Sequence, residues 1–154
     1  MKKKLIVFLL VIIFIGGFLV WYFWLQPRTW KTYRNEEYGF EIKYPGNYKI
    51  EERVLDDRFV IYFYSEVAQP LPSLTIFGNK NMSEKIKEIK NNPTMSITKD
   101  QTIEIDSEGG KRLTGKDLIH PILSVDFVLF EKDGQLYLLS GIDDRMLATF
   151  KFLE

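Results

Sequence analysis

The sequence predicts an α+β protein in which an antiparallel β-sheet is flanked by helices and preceded by one transmembrane helix. Three observations lead to this prediction. An uncharged apolar segment of 21 residues lies near the N-terminus, at residues 5–25. After it, several short segments alternate apolar and polar residues, which is the period of a strand with one buried face. Turn signals of the hairpin type separate these segments, and hairpins join antiparallel strands.

Residues 5–25 form the predicted transmembrane helix. At a rise of about 1.5 Å per residue, a helix of this length reaches roughly 31 Å, which matches the hydrocarbon thickness of a bilayer. The run is longer than the apolar region of a cleaved signal peptide and lacks a small-x-small cleavage site, which favours an uncleaved anchor. The residues that mark the span are Leu5, Phe14, Gly16, Gly17 and Leu25, and those expected at the lipid headgroup level are Trp21, Tyr22 and Trp24.

The lysines at the N-terminus set the predicted orientation. Residues 1–4 form a basic tip with three lysines directly before the apolar run, and three further basic residues follow the run. Because the first lysines abut the apolar core, we expect the N-terminus in the cytoplasm and the remainder of the chain outside it. Residues 26–32 are then a juxtamembrane link, and residues 33–154 are one soluble domain, large enough to bury its own core.

The composition of the predicted domain narrows its function. All 21 acidic residues lie after residue 25, together with 18 of the 21 basic residues. A mildly acidic domain without a basic run argues against nucleic-acid binding. The chain has no cysteine, which excludes a disulfide framework, a thiolate metal site and a thiol nucleophile.

The first half of the domain is predicted to contain four strands and one helix. Residues 40–44 alternate apolar and charged side chains, as a half-buried strand does. Residues 59–65 are apolar on both faces, which is typical of a central strand covered on both sides. A capping residue and apolar residues at helical spacing predict a helix over residues 81–90. Strands are also predicted at residues 48–54 and 74–77, with turns at residues 45–47 and 56–57 and a loop at residues 66–72.

Two glycine-containing dipeptides mark predicted hairpins in the second half. Asp133-Gly134 is a strong hairpin signal, because both residues tolerate positive φ. Gly109-Gly110 predicts a second hairpin turn. The strands that these turns join are predicted near residues 97–105 and at residues 111–115, 123–131 and 135–140.

The last ten or so residues are predicted as a helix, at residues 143–152. Its start is acidic, which suits the positive end of a helix dipole. Met146, Leu147 and Phe150 would form an apolar stripe along one face. Strands therefore outnumber helices in the predicted domain.

Both ends of the predicted domain resemble the PsbP-like domain family. The segment EEYGFEIKYPGNY resembles the family's entry motif, in which an aromatic-Gly-Phe strand runs into a Tyr-Pro turn. The Asp-Gly hairpin and the ending LATFKFLE resemble its closing strand pair and its last helix, and the resemblance covers roughly residues 33–153. Tyr48 stands where Trp is commoner and Thr149 where Ser is commoner. The residues that match the family motifs are Tyr38, Gly39, Phe40, Tyr44, Pro45 and Phe150.

The resemblance implies an antiparallel sheet sandwiched between helices, an α/β/α arrangement. The best-known member of the family is an extrinsic protein of photosystem II on the lumenal side of the thylakoid, and bacterial relatives are mostly envelope proteins. The family is a binding and assembly module without a catalytic set to carry over. Nothing in this sequence specifically implies photosynthesis, because a predicted anchor stands where a transit peptide would be.

We therefore expect a single-pass, membrane-anchored, extracytoplasmic binding domain that assembles or stabilises an envelope membrane complex. Its expected partners are the lipid bilayer and a membrane or envelope protein. No catalytic residue, cofactor or metal ligand is predicted, and the protein is not expected to be an enzyme.

Two other functions stay open from the sequence alone. One is a domain that senses a small ligand or a metal such as Ca²⁺ or Mn²⁺ through carboxylate oxygens. The other is a small envelope hydrolase that uses His120, the sole histidine, with Ser124 or with scattered carboxylates. Neither function has a recognisable motif in this sequence. For the metal-sensing alternative, none of the acidic pairs has the spacing of an EF-hand loop. These pairs lie at residues 36–37, 51–52, 56–57 and 143–144.

Overall fold

The computed structural model describes residues 16–17, 30–64, 72–78 and 80–153. The chain divides into two compact units, residues 1–30 and residues 31–154. In the first unit, Gly16 and Gly17 are helical and exposed. In the part of the chain that is described, no helix combines the length and the hydropathy that crossing a bilayer requires. The other residues predicted to mark the span or its headgroup belt lie outside the described residues: Leu5, Phe14, Trp21, Tyr22, Trp24 and Leu25.

Ten strands and two helices lie in the described residues from Trp30 onward. The strands are β1 (Trp30–Asn35), β2 (Phe40–Pro45), β3 (Lys49–Leu55), β4 (Arg58–Tyr64), β5 (Ser73–Phe77), β6 (Met95–Ile105), β7 (Glu108–Asp117), β8 (Ser124–Lys132), β9 (Gln135–Ser140) and β10 (Lys151–Phe152). The helices are α1 (Met82–Lys90) and α2 (Asp144–Leu147). Because β1 begins at Trp30, the chain is already part of a sheet within the residues 26–32 predicted as a link.

These strands form two sheets. The large sheet has seven antiparallel strands in the order β3-β4-β5-β9-β8-β7-β6, so β3 and β6 are its edges. The small sheet has the order β1-β2-β10, and β10 runs antiparallel to β2. The predicted turns at residues 56–57 and 133–134 join neighbouring antiparallel strands of the large sheet, and the antiparallel part of the predicted fold class is confirmed.

Helix α1 covers one face of the large sheet. The helix begins where the side chain of Asn81 accepts a hydrogen bond of 2.7 Å from the backbone N–H of Ser83, which satisfies an otherwise unpaired donor of the first turn. Ile89 is buried against the sheet and Ile86 packs beside it, as their spacing of three residues predicts. The sheet residues beneath them are Phe77, Leu113, Leu129 and Leu136.

The small sheet and α2 cover the opposite face. In β2, Phe40, Ile42 and Tyr44 are buried, while the charged residues between them are not. Tyr44 meets Phe63 of β4 with ring centroids 5.7 Å apart. Because these side chains alternate along a strand, one row enters the core and the other remains accessible.

The predicted layering of helices on both faces is wrong for this second face. A sheet of three strands lies there, and the only helix beside it in the described chain is α2, which has four residues. The reason is that β1 and β10, from the two ends of the domain, lie on either side of β2 and form a sheet with it where a helical layer was expected. The molecule is therefore predominantly sheet.

The predicted turn at Gly109-Gly110 is also wrong. The chain reverses at Asp106-Ser107, with φ of +46° and +71°, and both glycines lie inside β7. Asp is one of the residues that adopt positive φ most readily without being glycine. Gly110 is needed for another reason, since a Cβ on it would stand 2.7 Å from the carbonyl oxygen of Leu129.

The predicted helix at residues 143–152 is only partly right. Helix α2 ends at Leu147, and the chain then extends into β10, whose Lys151 and Phe152 pair with Glu41 and Phe40. The acidic start is correct, because Asp143 Oδ1 accepts a hydrogen bond of 2.8 Å from the N–H of Met146. Pairing with β2 and burial of aromatic side chains outweigh the helical spacing that the sequence displays.

Candidate functional site

The residues that resemble the family motifs come together, although more than a hundred positions separate them. Tyr38, Gly39, Phe40, Tyr44 and Pro45 lie in or before β2, and Phe150 lies directly before β10, which pairs with β2. The rings of Phe40 and Phe150 stack with centroids 5.4 Å apart and planes 9° apart. The two ends of the domain therefore form one structural unit.

An aromatic cluster surrounds this stacked pair. Phe130 stacks on Tyr137 at 5.2 Å, and it meets the edge of Phe150 at 5.1 Å. Phe152 closes the cluster against Tyr137 at 5.4 Å in an edge-to-face arrangement. Offset-stacked and edge-to-face contacts are the favourable geometries for aromatic rings, so the cluster stabilises the junction between the two sheets.

A turn between β1 and β2 presents the backbone of the motif. The side chain of Asn35 accepts a hydrogen bond of 2.9 Å from the N–H of Tyr38. Gly39 follows with φ of +66°, a conformation that glycine adopts without strain. The Gly39 carbonyl then accepts a hydrogen bond of 2.8 Å from the N–H of Leu153. The glycine of the motif is thus explained by the turn it makes.

A shallow pocket of about 180 Å³ opens beside this turn. Two neighbouring turns form its walls, the one before β2 and the hairpin between β8 and β9. Its floor is aromatic and its rim is charged. The lining residues are Glu36, Glu37, Tyr38, Gly39, Lys132, Asp133, Gln135, Tyr137, Phe152 and Leu153.

Two polar side chains of the pocket, those of Tyr137 and Lys132, have partners within the domain. The hydroxyl of Tyr137 lies 2.8 Å from the Tyr38 carbonyl, and burial raises the pKa of this phenol to about 12, so it stays protonated and donates. Lys132 Nζ forms an ion pair of 2.7 Å with Glu108 and lies 4.6 Å from the ring centre of Phe152. The hydrogen bond to Glu108 raises the pKa of this lysine. The Tyr137 hydrogen bond therefore joins β9 to the turn before β2.

An ion cluster joins α2 to the large sheet. Arg112 of β7 donates two hydrogen bonds to the carboxylate of Asp126, at 2.9 and 2.5 Å, and a third of 2.6 Å to Asp144. Hydrogen bonding to Asp126 raises the pKa of the guanidinium above its ordinary value. Because both nitrogens of the fork face one carboxylate, the geometry is that of the stronger, bidentate pairs.

Replacing Arg112 with alanine is expected to lower the free energy of unfolding by about 1–2 kcal/mol, because two carboxylates lose a charged donor. Urea denaturation of the purified protein measures the change. Arg53→Ala is the matched control, since Arg53 forms an exposed pair with Glu51 whose loss should matter less. Equal losses in the two variants would show that the Arg112 cluster is no stronger than a surface ion pair.

His120 lies in the loop between β7 and β8. Its Nδ1 is 3.8 Å from Asp117 Oδ2, and two-thirds of its side chain is exposed. Asp117 itself accepts hydrogen bonds from the backbone N–H groups of His120 and Ile119, which lower the pKa of its carboxyl. Within the described residues no hydrogen bond joins His120 to Ser124, so the structure does not bring the base and nucleophile of the hydrolase alternative together.

The acidic pairs serve several different structural elements. In the described part of the chain, no three acidic or histidine side chains come close enough to hold a metal ion together. Asp56-Asp57 makes the turn between β3 and β4, with φ of +42° at Asp56. The other pairs lie as follows: Glu36 and Glu37 line the pocket, Glu51 pairs with Arg53, Glu52 accepts from Tyr33, Asp143 caps α2 and Asp144 pairs with Arg112.

Comparison with known proteins finds a likeness in fold. No protein-family model and no curated protein matches the chain. The fold is similar to the solution structure of cyanobacterial PsbP (CyanoP) from Synechocystis sp. PCC 6803, with a TM-score of 0.59, 12% sequence identity, and coverage of 80% of this chain and 92% of that chain. The chain has a PsbP-like fold. At this identity the likeness concerns the fold alone, and it confirms the PsbP-like fold that the motif resemblance implied, although not a helical layer on the second face of the sheet.

Two features of this domain were not predicted from the sequence. The Arg112 cluster joins residues from β7, β8 and the start of α2, which no local pattern relates. An exposed apolar loop at residues 118–122 is the second feature, and its aliphatic residues flank Pro121 between the strands predicted at residues 111–115 and 123–131. Apolar residues in a turn were the available signal for this second feature.

Proposed function

We propose that this protein is an accessory binding domain, held at a membrane by residues 5–25 and displayed on the extracytoplasmic side. Its partner is a membrane or envelope protein of the same membrane, and its role is assembly or stabilisation of a complex. The proposal includes no catalytic step, cofactor or metal. Its two supports are the PsbP-like fold and the uncharged apolar run of 21 residues that precedes it.

The observation that carries the binding role is the pocket beside the motif turn. It joins residues from both ends of the domain, its floor is built from aromatic side chains, and its rim carries Glu36, Glu37 and Asp133. Aromatic surface with a polar rim is the usual anatomy of a protein interface. We infer that a basic or polar segment of the partner contacts this rim.

A photo-cross-linking experiment tests the proposal. A photoreactive amino acid is placed at Glu37, which is exposed on the pocket rim, in the full-length protein in its native membrane. The same amino acid at the exposed Arg58, where β4 begins, provides the matched control. We expect a discrete cross-linked membrane protein from position 37 and none from position 58.

Two further results decide the outcome. Residues 1–32 alone should not retain the cross-linked partner in a pull-down, because the domain carries the binding surface. The full-length protein should stay with the membrane after alkaline washing, whereas a chain lacking residues 1–25 should be released. If the full-length protein retained no membrane protein beyond those that residues 1–32 retain, the accessory role would be contradicted.

A further inference from the structure

We propose that residues 118–122, here called the aliphatic loop, insert into the lipid surface of the membrane that holds the anchor. The inference rests on the proposed membrane anchoring and goes beyond it, because it assigns a second lipid contact to the folded domain. The aliphatic loop joins β7 to β8 and has the sequence LIHPI.

The side chains of the aliphatic loop point into solvent. Leu118 is 55% exposed, Ile119 64% and Ile122 98%. Among the described residues only one other large aliphatic side chain is comparably exposed, that of Val54 at 78%. Single exposed apolar residues need no explanation, but three within five positions form a local apolar surface.

The backbone of the aliphatic loop is held in place by its own hydrogen bonds. Asp117 Oδ1 accepts from the N–H groups of Ile119 at 2.8 Å and His120 at 2.9 Å. The N–H of Leu118 donates to the carbonyl of Thr94 at 2.8 Å, and that of Leu123 donates to the His120 carbonyl at 2.8 Å. Three backbone donors of the aliphatic loop, those of Leu118, Ile119 and His120, are thus paired, which lowers the cost of moving them out of water into lipid.

The chemistry of the aliphatic loop favours lipid over a protein partner. Its apolar residues are all aliphatic, whereas protein interfaces are enriched in aromatic residues and arginine. A stable protein interface also buries about 800 Å² on each partner, far more than five residues offer. A bilayer demands no complementary shape, so a small aliphatic projection is sufficient for it.

The charged residues next to the aliphatic loop are compatible with contact to lipid headgroups. Lys116 is exposed one position before Asp117 and can meet a lipid phosphate, and the Asp117 carboxylate is engaged by two backbone N–H groups. His120, also exposed, lies beside that carboxylate. An anchor on the same chain raises the effective lipid concentration that the aliphatic loop meets, so weak insertion becomes appreciable.

A single fluorescent label tests the proposal, because the chain has no cysteine of its own. The full-length I122C variant carries an NBD label in vesicles of phosphatidylcholine and phosphatidylglycerol. The matched control is V54C with the same label, since Val54 is an exposed aliphatic residue at the end of a different hairpin. Both positions are exposed, so neither label should perturb the fold.

We expect the label at position 122 to shift to shorter emission wavelength, and doxyl-labelled lipids to quench it several-fold more than the label at position 54. Equal, water-like emission at both positions in protein that floats with the vesicles would overturn the inference and leave the proposed anchor intact. Shielding of position 122 only after a membrane-protein extract is added would also overturn it, in favour of a protein partner. Protein that fails to float would contradict the anchor and the inference together.

Discussion

Replacing Phe40 with alanine is expected to lower the free energy of unfolding by about 3–5 kcal/mol, the largest loss of any single substitution in the motif. Phe40 is fully buried and its ring contacts Phe150 and Tyr137. The substitution removes a large apolar side chain and leaves a cavity that the two sheets cannot close without moving. Urea denaturation followed by circular dichroism measures the loss.

A double-mutant cycle with Phe150→Ala tests the pairing of the two chain ends directly. Because the rings stack at 5.4 Å, the double variant should lose less stability than the two single variants added together. Tyr62→Ala is the matched control, an aromatic residue that is half-buried and lies in β4. Additive losses for Phe40 and Phe150 would show that the stacked geometry contributes nothing beyond burial.

The stability of the Phe40→Ala variant shows whether Phe40 supports the fold or contacts a partner. If Phe40 served only to contact a partner, its loss would leave the melting temperature unchanged and weaken binding alone. The structure predicts the reverse, because the side chain has no exposed surface to offer. Among the matched residues, Tyr38 and Gly39 line the pocket, and Phe40 contacts the ring of Tyr137, another lining residue.

Replacing Gly115 with alanine is the second substitution expected to have a large effect, a loss of about 3 kcal/mol. A Cβ at this position would stand 2.1 Å from the carbonyl oxygen of Ser96 and 2.9 Å from the Cα of Ile97. These are backbone atoms, so no side-chain rotation relieves the clash. The pairing of β6 with β7 is already irregular there, with a register shift between Ile97 and Lys99.

Gly109→Ala is the matched control for Gly115→Ala. It lies in the same strand, β7, and an added Cβ there meets no atom within 4 Å. We expect its stability to stay within about 0.5 kcal/mol of the parent protein, as for most surface substitutions. Comparable losses in both variants would mean that glycine is required in β7 for a reason other than the contact with β6.

The parts of the fold that were predictable are those that local patterns encode. Alternation of Phe40, Ile42 and Tyr44 with charged residues predicted β2, and Asp133-Gly134 predicted the hairpin between β8 and β9, where φ is +51° and +77°. In each case the information lies within a few residues. A strand period or a turn dipeptide can therefore be recognised without knowledge of the rest of the chain.

The predictions that were wrong concern residues whose structure depends on contacts between distant segments of the chain. Gly109-Gly110 has the composition of a turn, and only the position of the neighbouring strand shows that Gly110 is there to avoid a clash. Met146, Leu147 and Phe150 have helical spacing, and only the pairing with β2 shows that the helix gives way to a strand at residues 151–152. The pocket could not be predicted for the same reason, since its walls come from turns nearly a hundred residues apart.

The pairing of β10 with β2 has a consequence for biosynthesis. The N–H of Lys43 donates to the side chain of Thr149, which lies 106 positions later in the sequence. The ring of Phe40 stacks on that of Phe150, so this contact also forms only after the end of the domain has been synthesised. Ribosomes add about 5–20 residues per second, so β2 leaves the ribosome several seconds before its partner strand exists. If the chain is threaded across a membrane as it is made, the domain reaches the far side before it can complete its core. In such a chain, the late synthesis of β10 would delay closure of the fold until the chain has crossed the membrane.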